Sequence, residues 1–427
     1  MSDLSIKKVI GRRVWDSRGR PTVEAEVHLA NGGMGRAIAP AGASTGSGEA
    51  LDLRDGGPRL GGYDVKAAVA NVNSKIQDQL LGMDAREQAL IDEALIALDG
   101  SNNRSTLGGN AMIAVSMAVA HAAANGQGLP LWKYLGGTMD NPLPLPEIQI
   151  FGGGAHAEGR LDLQDFMVMP YGAKSFAEAM EWVAEIYLAA GKMMDASGRR
   201  VGVADEGGYW PQFNNNEEAI ETLAKVIEEA GFSTATQVGI SLDIAATQIF
   251  KEDGYQLKAE KRKFSPEQWF DLMLRWVNDY PIVAIEDPFV EDDLESHSRF
   301  TAEVGKKVQV VGDDLLVTNL NNIAAAKARQ ACNTLLCKPN QAGTLTEAKL
   351  AYLAAKEAGW NVIVSARSGE TEDITIVHLA LGWGIQQLKV GSFARSERMA
   401  KWNEAIRLEE AFGANAHYAG KSPLVGF

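Results

Sequence analysis

Thr334-Leu-Leu-Cys-Lys-Pro-Asn-Gln341 is a short apolar run that delivers one lysine, Lys338, and then breaks at a proline. A run of this kind reads as a parallel strand buried on both faces, with its reactive group at the C-terminal end. The same design recurs through the last two-thirds of the chain. Residues 201–206, 238–243, 281–287, 308–314, 361–367 and 386–389 each run apolar and stop on a charged or polar residue. Most of these stops lie about 22 to 43 residues apart, room for one helix and its loops. That rhythm predicts a β/α barrel, in which groups at the C-terminal ends of different strands converge on one mouth. An open parallel sheet is the alternative, but it brings fewer strand ends to one point.

The 427 residues are enough for a full barrel and one further domain. A net charge of -14 argues against nucleic acid or an anionic membrane as partner, while leaving room for a local basic site that binds a phosphate. Cys332 and Cys337 have no His or Cys cluster around them, so both read as reduced core residues of a cytoplasmic protein. The first eight residues lack the apolar core of a signal peptide. The apolar stretch 111–124 is too short to span a bilayer and is interrupted by Ser116 and His121, which predicts a buried helix.

Residues 5–15, 22–30 and 35–41 alternate apolar and polar side chains with Gly or Asn turns between them, predicting an antiparallel meander. Residues 63–81, 85–98 and 110–125 carry apolar positions at helical spacing. Together they make an α+β N-terminal domain over residues 1–135, followed by a proline-rich linker and a catalytic barrel over 140–427. Between meander and helices lies Pro40-Ala-Gly-Ala-Ser-Thr-Gly-Ser-Gly-Glu49, readable as a flexible linker or as a mobile lid over a site.

Asp243, Glu286 and Asp313 end three successive strands, an oxygen-only set suited to Mg²⁺ or Mn²⁺. Each alone could merely cap the helix that follows; three in succession favour the metal. Lys338 and Lys389 end later strands and face the same mouth. A divalent cation nearby lowers a lysine pKa and makes a neutral base available; a phosphate contact or a salt bridge to the carboxylates is the other reading. Arg367 and Ser368 offer a guanidinium and a hydroxyl for a phosphate or carboxylate. Glu206, Gln164 and Asp165 add polar groups from the early strands, and His156 sits in a glycine-rich loop. His28, His121, His297, His378 and His417 read as structural. The chain contains no dinucleotide fingerprint, P-loop, nucleophile elbow or HExxH motif, which weakens the oxidoreductase, kinase, hydrolase and metalloprotease readings.

Asp16-Ser-Arg-Gly-Arg-Pro-Thr-Val-Glu24, Gly42-Ala-Ser-Thr-Gly46, Asp205-Glu-Gly-Gly208, Ile285-Glu-Asp-Pro288, Val311-Gly-Asp-Asp314, Ser368-Gly-Glu-Thr-Glu-Asp373 and Ala394-Arg-Ser-Glu-Arg398 follow one another in a fixed order. In that order the chain resembles the enolases, the phosphopyruvate hydratases of glycolysis, over nearly its whole length. The resemblance implies a small α+β cap, a modified eight-stranded barrel whose early strands depart from βα alternation, and a homodimer. It implies that Asp243, Glu286 and Asp313 hold Mg²⁺, that Lys338 removes the proton α to a carboxylate, and that Glu206 assists loss of the 3-hydroxyl. Lys389 then contacts the substrate carboxylate and Arg367 with Ser368 clamps its phosphate. Asp165 and His156 join the catalytic set, and Gln164 and Asp314 the substrate contacts.

Three positions depart from the enolase pattern. Ala41 replaces a lid serine, Asp165 a glutamate, and Ala366 a histidine; a smaller change puts Tyr209-Trp-Pro-Gln212 where Phe-Ala-Pro-Asn is usual. The three site changes all remove side-chain volume, while the metal trio and both lysines stand. Proton abstraction is therefore expected to survive, with the leaving-group side remodelled. The substrate is expected to be 2-phosphoglycerate or a close analogue. An enolase-like synthase of phosphonate metabolism, of the carboxyphosphonoenolpyruvate synthase type, is the second reading, and a non-catalytic binding protein on the same fold the third.

Overall fold

The computed structural model describes residues 3–43, 46–157 and 160–427. Its N-terminal part opens with β1 (Ile6–Trp15), β2 (Pro21–Leu29) and β3 (Met34–Ile38), an antiparallel meander in that order. Inward-facing Val23, Ala25 and Val27 are fully buried. They pack toward the helix Gly109–Gly126, which is buried nearly all round because elements of the barrel cover its other side. A Cβ at Gly35 would lie 2.1 Å from the Ala122 amide nitrogen, so only glycine lets β3 lie this close to that helix. The helix expected over 63–81 is narrower and contains a π-helical turn, Val72–Ile76, between Lys66–Asn71 and Gln77–Leu80.

The remaining strands are β4 (Leu145–Gly152), β5 (Asp165–Met169), β6 (Arg200–Val203), β7 (Tyr209–Pro211), β8 (Gly239–Asp243), β9 (Phe250–Lys251), β10 (Gly254–Leu257) and β11 (Arg262–Phe264). They continue with β12 (Ile282–Glu286), β13 (Gln309–Gly312), β14 (Thr334–Cys337), β15 (Asn361–Ser365) and β16 (Gln387–Ser392). β4, β5, β8 and β12 to β16 pair in sequence, and β16 pairs back onto β4. The sheet is therefore a closed eight-stranded barrel, and the open-sheet alternative falls. β5 runs antiparallel to both its neighbours, the departure from βα alternation that the resemblance implied.

Two expectations need correction. Residues 201–206 are not a barrel strand: β6 and β7 form an outer hairpin that joins the sheet where Tyr209 pairs with Phe151 and whose turn bonds to Gln149 on β4 and Ser392 on β16. Lys389 does not end its strand, because β16 goes on pairing with β4 through Ser392. The strands that the apolar-run pattern passed over are β4 and β5. β4 reads Leu-Pro-Glu-Ile-Gln-Ile-Phe-Gly, with polar residues that the barrel buries rather than exposes. Ser241 on β8 donates to Glu147 on β4 although β5 lies between those strands, so the bond crosses the lumen. Gln309 and Gln387 likewise join β13 to β16 across it, with Gln309 Nε2 2.7 Å from Gln387 Oε1. Polar side chains inside a barrel satisfy one another, and strict apolar periodicity is lost.

Candidate active site

At the C-terminal end of the barrel, residues from both halves of the molecule line a cavity. Its walls include His156, Gln164, Asp165, Glu206, Asp243 and Lys338. Ala366, Arg367 and Ser368, just after β15, and Lys389 on β16 also line it. Glu286, Asp313 and Asp314 lie beneath or beside this lining and are buried. The barrel thus brings together every candidate residue, including Glu206, which arrives from the β6–β7 turn.

Two lysines organise the carboxylates. Lys338 Nζ lies 2.5 Å from Asp313 Oδ2, and Gln341 Nε2 donates to Asp313 Oδ1 at 2.9 Å. Lys389 Nζ lies 2.7 Å from Glu286 Oε2, 3.1 Å from Asp243 Oδ2 and 3.6 Å from Asp165 Oδ2. Gln164 Nε2 donates to Asp243 Oδ2 at 2.9 Å. Burial is the largest single influence and disfavours both ammonium groups, but Asp313 and Glu286 together offset it at Lys338, and Asp243, Glu286, Asp165 and Glu147 together at Lys389. Both lysine pKa values are therefore raised. Here the carboxylates suited to a cation are paired with the two ammonium groups; a cation that took those oxygens would remove what holds the lysine pKa values up.

On the opposite side, Asp165 Oδ1 is 3.1 Å from His156 Nδ1 and also accepts from Gln149 Nε2. His156 Nε2 is 3.9 Å from Glu206 Oε1. Burial works against the imidazolium, yet Asp165 and Glu206 hold its pKa above the ordinary histidine value. Tyr187 stacks on Tyr209 at 4.4 Å and donates through its hydroxyl to the Gly207 carbonyl at 2.9 Å, fixing the turn that carries Glu206.

Arg367 Nη1 donates to Glu49 Oε2 at 2.9 Å and to Asn340 Oδ1 at 3.2 Å. Fully buried Arg398 holds the backbone behind it, donating to the carbonyls of Arg367, Ser368 and Val390. The loop 40–49 therefore meets the barrel mouth through Glu49, and through Ala41, whose amide donates to the Gly369 carbonyl at 2.8 Å. Ser44 and Thr45 of its Gly42–Gly46 motif lie outside the described residues. At the other two altered positions, Ala366 turns only a methyl group toward the cavity and Asp165 stays wholly buried.

Asp243, Glu286 and Asp313 fit a divalent cation by chemistry: three buried, hard oxygen donors from adjacent strands β8, β12 and β13. Glu286 Oε1 has no hydrogen-bond partner among the described residues. Burial, then neighbouring Asp243, push the Glu286 carboxyl well above its usual range, against the pull of Lys389. Asp287 lies next in sequence but is committed elsewhere, since its two oxygens accept the amides of Asp313 at 3.0 Å and Asp314 at 2.6 Å. Sequence reasoning missed Asp287, Gln149, Gln341 and Glu49, because each acts through partners 16 to 318 residues away that no local pattern announces.

The family described as the enolase C-terminal TIM barrel domain matches residues 140–425, and the enolase N-terminal domain matches residues 6–135. The chain belongs to the enolase family. It is also 46% identical over 424 residues to Enolase 1 of Desulfitobacterium hafniense (strain Y51), covering 99% of this chain and 97% of that protein. As an enolase-family lyase it has the closed barrel and α+β cap of that family, and among its described residues no helix is long and apolar enough to cross a membrane.

Proposed function

We propose that the protein dehydrates 2-phosphoglycerate to phosphoenolpyruvate and water, with Mg²⁺ held by Asp243, Glu286 and Asp313. The observation that carries this reading is that Lys338 and Glu206 line one cavity together with Arg367 and Ser368. Bound there, the ion supplies the positive charge that a carboxylate requires when its α-proton leaves. With Asp313 turned to the ion, the Lys338 ammonium would lose the partner that holds its proton and give that proton up; as the neutral amine, Lys338 then accepts the α-proton at Nζ. Glu206, on the far wall, protonates the departing hydroxyl, with His156 and Asp165 beside it. Lys389 contacts the substrate carboxylate, Arg367 and Ser368 hold the phosphate, and Gln164 and Asp314 border the bound substrate. The cap, through residue 135, supplies the loop that reaches the phosphate end, and the barrel, from residue 140, supplies the rest. A cytoplasmic homodimer fits this reading, and light scattering of the purified protein tests the dimer.

The assay is the ultraviolet absorbance of the enol product from 2-phosphoglycerate at saturating Mg²⁺. Turnover abolished by Lys338→Ala or by chelation of Mg²⁺ is the expected result. Absence of turnover in the parent protein refutes the reading. A second reading, a synthase acting on a phosphonate analogue, is favoured by the bare methyl of Ala366 in the cavity wall. Exchange of the α-proton with solvent deuterium that depends on Lys338, without product, distinguishes it.

A further inference from the structure

Gln149 does not line the cavity, yet it joins the two acids of the leaving-group side. It is fully buried on β4, paired in register with Met167, one step down the barrel from Asp165. Its amide nitrogen donates to Asp165 Oδ1, and its amide oxygen accepts from the Gly208 backbone N–H at 2.8 Å. One side chain therefore ties the β5 carboxylate to the turn that carries Glu206. Gly208 makes the room for it, and Gly152 borders it. A Cβ at Gly208 would lie 2.3 Å from Gln149 Oε1, and one at Gly152 would lie 3.3 Å from Gln149 Nε2. Asp165 Oδ2 is left without a hydrogen-bond partner among the described residues, 3.6 Å from Lys389 Nζ on the cavity side.

We propose that Gln149 is a positioning residue whose long side chain makes up for the short one at Asp165, holding that carboxylate against His156 and in step with Glu206. The enolase pattern has glutamate at this position. Aspartate draws the carboxylate back toward its own strand by about one C–C bond, ~1.5 Å. A hydrogen bond does not stretch over such a gap, so the donor arm must be longer by the same amount. The inference rests on the enolase reading for the role of Asp165.

The test moves one methylene across the bond. Gln149→Asn shortens the donor, Asp165→Glu lengthens the acceptor, and the double variant keeps the combined reach. With the full-length protein, Mg²⁺ and 2-phosphoglycerate, each single variant is expected to lose about tenfold or more in kcat, since an ångström of misplacement costs up to about a hundredfold. KM changes by less than about threefold, and the double variant returns to within about threefold of the parent. A double variant that loses the product of the two single losses overturns the proposal, as does an unchanged kcat in Gln149→Asn. Crystal structures of the four proteins without substrate give a readout that needs no activity. In Gln149→Asn the residue-165 carboxylate is expected to leave His156 Nδ1, and in the double variant to return. A carboxylate that stays in place in Gln149→Asn overturns the proposal. A parent protein that does not turn over 2-phosphoglycerate refutes the functional reading, and the crystal comparison still decides the role of Gln149.

Discussion

Replacing Glu49 with glutamine should make the protein bind phosphate more tightly while lowering its stability without ligand. Glu49 and Arg367 form an ion pair whose side chains are 8% and 3% exposed. Burial alone would disfavour the guanidinium charge, but Glu49 and Asp313 hold the Arg367 pKa above its ordinary value. The amide retains one oxygen for the Gly46 N–H and Gln341 Nε2, which Glu49 Oε1 accepts at 3.0 and 3.3 Å. It loses the charge that faces Arg367 Nη1 at 2.9 Å. Removing one member of a buried pair costs about 3–5 kcal/mol. An anion seated against Arg367 returns the missing charge, so the variant recovers on binding part of what it lost on folding. If roughly a third survives local relaxation, about 1.4 kcal/mol, phosphate binds about tenfold more tightly. Calorimetric titration with inorganic phosphate in the presence of Mg²⁺ measures the affinity. Thermal unfolding with and without phosphate measures the other half: a midpoint a few degrees below the parent that closes toward it on phosphate addition. Unchanged or weaker binding by Glu49→Gln would refute the reasoning, showing that Glu49 orients Arg367 for the anion rather than competing with it.

His297 is fully buried, with Nδ1 donating to the Asp293 carbonyl at 3.0 Å and Nε2 lacking a hydrogen-bond partner among the described residues, and burial drops its pKa from 6.5 to about 4. The unfolded chain binds that proton first, so the stability contributed above about pH 6.5 is lost as pH falls to about 4, ~3 kcal/mol in all. His297→Leu should flatten the difference between urea midpoints across that window; parallel pH profiles for variant and parent would contradict it. Lys401 Nζ lies 2.8 Å from Glu370 Oε2 and 2.6 Å from the Thr371 carbonyl, while Glu370 Oε1 accepts the Arg367 amide at 3.1 Å. Lys401→Met should cost about 3–5 kcal/mol in urea denaturation, and adding Glu370→Gln should recover a good part because no unpaired charge remains buried. Equal losses in the single and double variants would show that packing, not charge, decides the effect.

Much of the barrel was legible because most of its strands are buried on both faces and advertise themselves as apolar runs that stop on a charged or polar residue. β4 was not, since Glu147 and Gln149 are buried, with partners across the lumen and on the β6–β7 turn, leaving a pattern indistinguishable from an exposed segment. Residues 201–206 misled for the converse reason: a short apolar run looks the same in an outer hairpin as in a barrel strand. Lys338, Asp243, Glu286, Asp313 and Lys389 were visible as candidates from residue type and spacing. Their pairing was not visible. That Lys389 spans Glu286 and Asp243 while Lys338 takes Asp313 depends on the order of strands around the barrel and on which ammonium reaches which oxygen.

By itself, then, the sequence determined the periodicities, the ordered motifs and the inventory of acids, bases and cations. These are local properties, set by residue type and by neighbours a few positions away. Only the tertiary structure decided which groups face one another: Glu49 with Arg367, 318 residues apart, and Gln149 between Asp165 and the Glu206 turn. Such contacts depend on barrel closure, on the antiparallel course of β5 and on the packing of the cap against the mouth. Each arises from interactions summed over the whole chain, and a linear pattern of residues does not encode them one position at a time.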